Sequence, residues 1–189
     1  MKIVLASGSP RRKELLEMMS LEFEICPAKG EEKLEKNLSP KETVRSLAKA
    51  KAKEVAAEYP AGTAIIAADT IVWAEGEILG KPKDRADAVR MLEMLSGKSH
   101  SVFTGICVIC DDVTVLGVEE TEVRFRRLSR SEIEAYVETG EPMDKAGAYG
   151  IQGKASVFIE GIKGDYFNVM GLPLCRLGEI LKTIGVRLL

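Results

Sequence analysis

The chain has 189 residues, 46% hydrophobic and 30% charged, with a formal net charge of −2 at pH 7. This profile is typical of a soluble globular chain, and its length suits one domain or two closely joined lobes, with no separable linker within residues 1–189. The near-neutral charge, without a basic stripe and interleaved aromatic residues, argues against nucleic acid as a partner. No signal-peptide pattern or membrane-length apolar run is found, so we expect a cytoplasmic protein with no membrane partner.

The first distinctive stretch is Ser7-Gly8-Ser9-Pro10-Arg11-Arg12, which follows a short apolar run at residues 3–6. Ser9 is a good N-cap and Pro10 suits the first helical position, so a strand, a tight turn and a helix start are predicted. The free N–H groups of a helix start, beside hydroxyl and guanidinium groups, suit an anion such as phosphate. An ordinary β–α turn with its arginines in solvent explains the stretch equally well.

A second helix is predicted to begin at Ser39-Pro40-Lys41-Glu42, with Ser39 as N-cap and Glu42 completing a capping box, and to end near Glu58. Lys51 falls in the middle of its apolar stripe, which consists of Val44, Leu47, Ala48, Ala52 and Val55. A lysine that points inward needs a partner or an anion. The alternative is a lysine that snorkels from the edge of the stripe.

Residues 64–73 form the most apolar run in the chain and predict a central strand buried on both faces. Asp69 interrupts this run. A buried carboxylate is costly unless it is paired, hydrogen-bonded or bound to a metal, so Asp69 is the strongest single pointer to chemistry. The alternative is an aspartate at a strand end that caps a neighbouring loop.

Later in the chain, helical and strand patterns alternate, which predicts a mixed α/β fold. The strands are predicted at residues 102–110, 113–118, 121–125 and 155–160, and the helices at 84–95, 129–140 and from about 174 to 184. Cys107 and Cys110 form a C-x-x-C pair inside a strand, where residues three apart face opposite sides, so buried reduced thiols are expected. His100 is the only histidine and is interpreted either as structural or as a residue that supports a neighbouring site residue.

Two further lysines lie in loops. Lys81 lies in the stiff Gly80-Lys81-Pro82 segment, and Lys145 lies in a glycine-rich stretch, 141–153, that also carries Gln152. A loop of this kind is often mobile or functional. Together with Asp69, these cations predict metal-assisted attack of water on a phosphate ester or anhydride.

Along nearly its whole length the chain resembles the Maf family, septum-formation-inhibitor-like nucleoside triphosphate pyrophosphatases. Seven motifs carry this resemblance in order: LASGSPRR from residue 5, LAKAKA from 47, AADTIV from 67, GKP from 80, SG with His100 and TG from 96, DKAGAYGIQG from 144 and GDYFNVMGLP from 164. The resemblance implies an inosine-triphosphatase-like α/β fold, with an elongated mixed sheet, flanking helices, two lobes and a central cleft.

The resemblance also implies hydrolysis of a nucleoside triphosphate to the monophosphate and pyrophosphate. Asp69 matches the family's catalytic base. The phosphate-side positions of the family match Ser7, Ser9, Arg12, Lys51, Lys81 and Lys145. A divalent cation (Mg²⁺, Mn²⁺ or Co²⁺) is implied, with Asp69 and Glu32 as metal ligands, although Gly30-Glu31-Glu32 lacks the Asp that often precedes the family's Glu.

Three positions match the branch of the family that acts on dTTP and UTP, whereas the sister branch that acts on 7-methyl-GTP differs there. They are Arg11, Thr70 and Gln152. A glutamine amide can pair with the edge of a pyrimidine, so the match is chemically sensible.

The main alternative is a regulator of septum formation that binds nucleotide without turning it over. A pure binder has no need of a buried carboxylate, Asp69, beside its phosphate-binding cations. The expected partner is therefore a nucleoside triphosphate substrate, and a homodimer is an open alternative to a monomer.

Overall fold

The computed structural model describes residues 1–30 and 37–188, and this part of the chain contains seven strands and six α-helices. The strands are β1 (Lys2–Leu5), β2 (Glu24–Ile25), β3 (Thr63–Ala74), β4 (Glu77–Leu79), β5 (Ser99–Cys110), β6 (Val113–Phe125) and β7 (Ile159–Lys163). The helices are α1 (Pro10–Met18), α2 (Pro40–Ala56), α3 (Arg85–Leu95), α4 (Arg130–Glu138), α5 (Tyr166–Met170) and α6 (Leu174–Thr183). None of the helices in the described ranges is both long and apolar enough to cross a membrane.

The strands form one mixed sheet in the order β2-β1-β3-β5-β6-β7, with β4 paired to β3 outside this path. β1 runs parallel to β2 and β3, with Leu5 opposite Ile66, whereas β4 and β7 are antiparallel to their neighbours. The predicted α/β class with a mixed sheet and flanking helices is confirmed. The elongated form and the cleft stay predictions.

The chain divides into two compact units. Unit 1 consists of Met1–Asp69, Thr104–Glu119 and Gly171–Leu189, and unit 2 of Thr70–Phe103 and Glu120–Met170. Three of the four boundaries fall within β3, β5 and β6, so each of these strands contributes residues to both units, and the fourth follows Met170 at the end of α5.

In unit 1, α2 covers the sheet with the apolar stripe that its sequence predicts. All five stripe residues are buried, and Ala48, Ala52 and Val55 pack against β1, β3 and β5. The Ser39–Glu42 capping box is present as predicted. The helix also lies very close to β5 at Gly105, where a Cβ atom would come within 2.3 Å of the Val44 carbonyl oxygen. Only glycine permits this approach of helix to strand.

In unit 2, the core contains an aromatic cluster around His100. The His100 ring meets Phe125 and Tyr149 edge to face, with ring centroids 5.1 and 5.3 Å apart, and its Nε2 lies 2.7 Å from the Tyr149 hydroxyl. The other ring nitrogen, Nδ1, is buried without a hydrogen-bond partner among the described residues. His100 is therefore a packed core residue of this unit, as predicted.

Two strand predictions are wrong in their bounds. β6 is continuous from residue 113 to 125, although a break was predicted after Val118. Glu119 and Glu120 are tolerated within the strand because Arg176 and the Ser101 hydroxyl pair with them. Residues 154–158 form a 3-10 helix rather than a strand, and their buried Ala155 and Phe158 have its three-residue spacing.

The close contact at Gly105 predicts that Gly105→Ala destabilises the protein. A methyl group there must displace α2 or β5, and overpacking of this kind costs about 1–3 kcal/mol. Urea denaturation should give a lower free energy of unfolding for this variant. Gly161→Ala is the matched control, because a Cβ at that position meets nothing within 4 Å. Equal stability of the two variants would contradict the prediction.

Burial predicts a pH-dependent stability from His100. Burial lowers the pKa of His100 from 6.5 to about 4, so between these values the unfolded chain binds the proton more tightly than the folded one. Above pH 6.5, His100 is neutral in both states and the full free energy of unfolding is present. As the pH falls from 6.5 to about 4, the unfolded chain takes up the proton first, and the free energy of unfolding decreases by about 3 kcal/mol. Urea denaturation of wild type and His100→Gln at about pH 7.5 and pH 5 should show a steeper loss in wild type. Parallel losses would contradict the prediction.

Candidate active site

The turn after β1 is organised by two serines. Ser9 caps α1, accepting the N–H of Arg12 on its side chain, and Pro10 is the first helical residue, as predicted. The buried Ser7 hydroxyl accepts the Ser9 N–H at 3.3 Å and Arg12 Nη1 at 3.2 Å. The structure thus brings Ser7, Ser9 and Arg12 together, as an anion site requires.

Arg12 is held at both ends of its guanidinium group. While Nη1 donates to Ser7, Nε donates to the carbonyl oxygen of Gly171 at 2.8 Å, just before α6. This second contact fixes the orientation of the planar donor fork, which suits phosphate oxygens. Arg11 precedes it on α1 and is half-buried.

The central feature of unit 1 is an ion pair between α2 and β3. Lys51 Nζ lies 2.5 Å from Asp69 Oδ1, and the two side chains are 19% and 7% exposed. The inward direction of Lys51 and the buried carboxylate of Asp69, both predicted from the apolar pattern, meet in one contact. The pair supplies the counter-charge that a buried carboxylate needs.

The serine turn and Asp69 lie at the same edge of the parallel β1–β3 pair. Ser7 comes two residues after Leu5, and Asp69 comes three residues after Ile66, which is the register partner of Leu5. Both therefore follow the last paired residues of strands that run in the same direction. The carboxyl edge of parallel strands is where open α/β sheets bind their ligands.

Unit 2 contains the loop lysines. Lys81 is exposed in the segment after β4, and the carbonyl oxygen of the preceding Gly80 accepts the N–H of Gly147 at 3.0 Å. Gly147 has a φ of +67°, and a Cβ there would lie 2.8 Å from Val72. The loop that carries Lys145 is therefore joined by its backbone to the loop that carries Lys81.

Lys145 is largely buried, with 14% of its side chain exposed. Its ammonium group donates to the main-chain oxygen of Glu141 at 2.7 Å and to Asp144 Oδ1 at 2.6 Å. Stretch 141–153, which has no regular period in its sequence, contains a 3-10 helix at residues 141–144 and a tight turn at 146–148, where Gly147 and Ala148 both have a positive φ.

The two remaining specificity candidates differ in exposure. Gln152 is exposed in a tight turn that the Gly153 N–H closes on the Gly150 carbonyl oxygen at 3.1 Å. Thr70 is half-buried and follows Asp69 directly, so their side chains leave β3 on opposite sides.

The second metal ligand implied by the resemblance, Glu32, lies outside the described residues. In residues 1–30 and 37–188, no group of three or more His, Cys, Asp or Glu side chains is arranged to hold a metal ion. Asp69 is therefore the ligand candidate that can be placed. Cys107 and Cys110 are both buried and free of disulfides, as expected.

Three site contacts could not be predicted from the sequence. They are the Gly171 carbonyl oxygen on Arg12, the Gly80–Gly147 hydrogen bond and the contacts of Glu141. The first two use main-chain atoms, which carry no residue-type signal. In the sequence, only the glycines at 147, 150 and 153 indicate that other groups pack closely against the backbone of this loop.

Comparisons with known proteins find relatives along nearly the whole chain. The chain is 52% identical to a dTTP/UTP pyrophosphatase of Bacillus cereus (strain AH187) and 51% identical to one of Bacillus anthracis, each over 98% of this chain and 96% of the relative. The fold is similar to that of a HAM1 protein from Coxiella burnetii, with a TM-score of 0.52, 16% identity and coverage of 97% and 99% of the two chains.

A family described as Maf-like protein matches residues 2–184, nearly the whole chain. The match includes the serine turn, the Lys51–Asp69 pair and the loop with Lys145. The resemblance inferred from the seven motifs is confirmed, and the chain belongs to the Maf family.

Proposed function

We propose that this protein hydrolyses dTTP and UTP, and modified pyrimidine triphosphates of the same shape, to the monophosphate and pyrophosphate. The observation that carries the proposal is the buried Lys51–Asp69 pair at the carboxyl edge of the parallel strands. The relatives that are 51–52% identical over nearly the whole chain and are named dTTP/UTP pyrophosphatases support the choice of substrate. We place the reaction in the cytoplasm because nucleoside triphosphates are made and used there.

In this proposal the cations bind phosphate oxygens. Arg12, oriented by Ser7 and Gly171, presents its guanidinium fork, and the N-terminus of α1 adds the positive end of the helix dipole. Ser7 and Ser9 supply hydroxyl groups. Lys51, Lys81 and Lys145 offset the negative charge of the triphosphate.

Asp69 acts as the general base. Its carboxylate is charged in the ion pair with Lys51, so it can accept a proton from the attacking water. The water oxygen forms a new bond to phosphorus, the α–β anhydride bond breaks, and pyrophosphate leaves with the electron pair. Because only 5% of Asp69 is exposed, bulk water does not screen the charge of its carboxylate.

The donor chemistry of Asp69 fits a divalent cation. Mg²⁺ prefers carboxylate oxygen and is usually held by one or two carboxylates together with substrate phosphates. Asp69 would hold the cation on this chain, and Glu32 is the second proposed ligand. When bound, the cation neutralises phosphate charge and polarises the phosphorus–oxygen bonds.

Arg11, Thr70 and Gln152 are the proposed selectivity residues. The exposure of Gln152 in a tight turn supports this role. Its amide oxygen can accept a hydrogen bond from a donor on the pyrimidine edge, and its amide N–H groups can donate to an acceptor there.

Asp69→Asn should abolish most of the activity, because an amide cannot accept the proton of the attacking water. We expect kcat to fall by about 10²- to 10⁴-fold, which is the usual contribution of a general base. The measurement is pyrophosphate release from dTTP and UTP with Mg²⁺ or Mn²⁺, and Asp112→Asn, a change in the exposed β5–β6 turn, is the control.

An Asp69→Asn variant with full activity would contradict the role of Asp69 as base. The proposed function itself would be contradicted by a folded, metal-supplied wild-type protein that cleaves no member of a panel of nucleoside triphosphates, including methylated pyrimidine and 7-methylguanine triphosphates. Nucleotide binding without turnover in that protein would favour the regulator of septum formation.

Gln152→Ala should weaken selection of the base without affecting the fold, since the side chain is exposed. Loss of one hydrogen bond to the base predicts a fall of about twofold to tenfold in kcat/KM for UTP, with a smaller change for dGTP. Ser156→Ala, also exposed, is the control. An equal fall for both nucleotides would show that Gln152 does not read the base.

A further inference from the structure

Glu141 lies at the start of the loop that carries Lys145 and Gln152, and it contacts both arms of that loop. Its main-chain oxygen accepts the Lys145 ammonium group at 2.7 Å. Its side-chain carboxylate accepts the N–H of Lys154, with Oε1 at 3.0 Å and Oε2 at 3.1 Å. One residue thereby joins positions 145 and 154.

The carboxylate of Glu141 has a further donor from α4. The hydroxyl of Tyr136 donates to Oε1 at 3.1 Å, and Tyr136 is buried in the core of unit 2. Burial and the charge of Glu141 raise the pKa of Tyr136, so this hydroxyl keeps its proton and stays a donor. The half-buried carboxylate is therefore anchored to the helix as well as to the loop.

Two glycines leave room for the Glu141 carboxylate and for the stem of Lys145. A Cβ at Gly153 would lie 1.9 Å from Glu141 Oε1, and a Cβ at Gly150 would lie 2.6 Å from Cε of Lys145. Gly150 and Gly153 are also the ends of the tight turn that presents Gln152. The turn thus rests directly on Glu141 at one end and on the stem of Lys145 at the other.

We propose that Glu141 is a positioning residue that sets the placement of both the Lys145 ammonium group and the Gln152 turn for substrate. This inference rests on the proposed pyrophosphatase function. Glu141 does not act on the reacting atoms, since its carboxylate is occupied by Lys154 and Tyr136. Its main-chain oxygen holds Lys145 together with the Asp144 carboxylate, and its own carboxylate supports the turn with Gln152. A shift of Glu141 therefore couples phosphate binding through Lys145 to base selection through Gln152.

The test compares Glu141→Ala and Glu141→Gln with wild type, using dTTP and dGTP as substrates. For Glu141→Ala we expect kcat/KM for dTTP to fall by about 10- to 100-fold, the cost of misplacing binding groups by an ångström. We also expect a higher KM and a change of about twofold to tenfold in the dTTP/dGTP ratio of kcat/KM. Glu141→Gln keeps one oxygen acceptor and should lose less.

Glu138→Ala is the matched control, because it removes a carboxylate from the exposed end of α4, three residues away. Gly153→Ala tests the same contact from the opposite side, since its methyl group must displace the Glu141 carboxylate, and Gly161→Ala controls for adding a methyl group. Gly153→Ala should reproduce the rise in KM and the altered ratio.

A merely structural role predicts a different pattern. A smaller folded fraction lowers the apparent kcat for dTTP and dGTP by one factor and leaves KM and their ratio unchanged. That pattern in the folded Glu141→Gln and Gly153→Ala variants would overturn the inference while wild-type activity upholds the proposed function. Wild-type protein that cleaves no triphosphate would overturn both.

Discussion

The requirement that a buried carboxylate be paired governs unit 1. Asp69 lies in the most apolar strand of the chain, and Lys51 is the group that offsets its charge. For Lys51 to reach it, α2 must lie flat on the sheet, which its apolar stripe and the absence of a side chain at Gly105 together permit. Packing and charge are therefore not separable here: a change that lifts α2 by an ångström also leaves a charge uncompensated.

Unit 2 holds its candidate groups by a different kind of interaction. Apart from Thr70 in β3, its candidate groups lie in irregular segments, and main-chain hydrogen bonds and glycine contacts hold those segments rather than helix or strand ladders. Two hydrogen bonds take the place of the regular hydrogen bonds of a helix or strand. The Gly147 N–H donates to the Gly80 carbonyl oxygen, and the Lys154 N–H donates to the Glu141 carboxylate. An irregular loop so tied can present polar groups as reproducibly as a strand does, which is what binding of a defined ligand needs.

How far the sequence could predict this structure depended on the range of each interaction. The Ser39–Glu42 box, the Ser9 cap and the inward direction of Lys51 depend on local spacing, and all were predictable. The partner of Lys51 lies 18 residues away and that of Arg12 lies 159 residues away, so neither contact is encoded in any local pattern. The ion pair between Glu119 of β6 and Arg176 likewise joins residues that are far apart along the chain. Glu141 carries no local signal, because a single glutamate before a proline resembles any surface residue.

The contacts of Ser7 carry a consequence for the type of catalysis. Its oxygen accepts two N–H donors, from Ser9 and from Arg12, and a hydroxyl oxygen has two lone pairs. Toward any third group, Ser7 can act only by giving its proton. An oxygen engaged in this way is a poor nucleophile, because attack would need a lone pair that is already committed. The turn is thus suited to holding an anion while water reacts, and a covalent phosphoserine intermediate is disfavoured from the start.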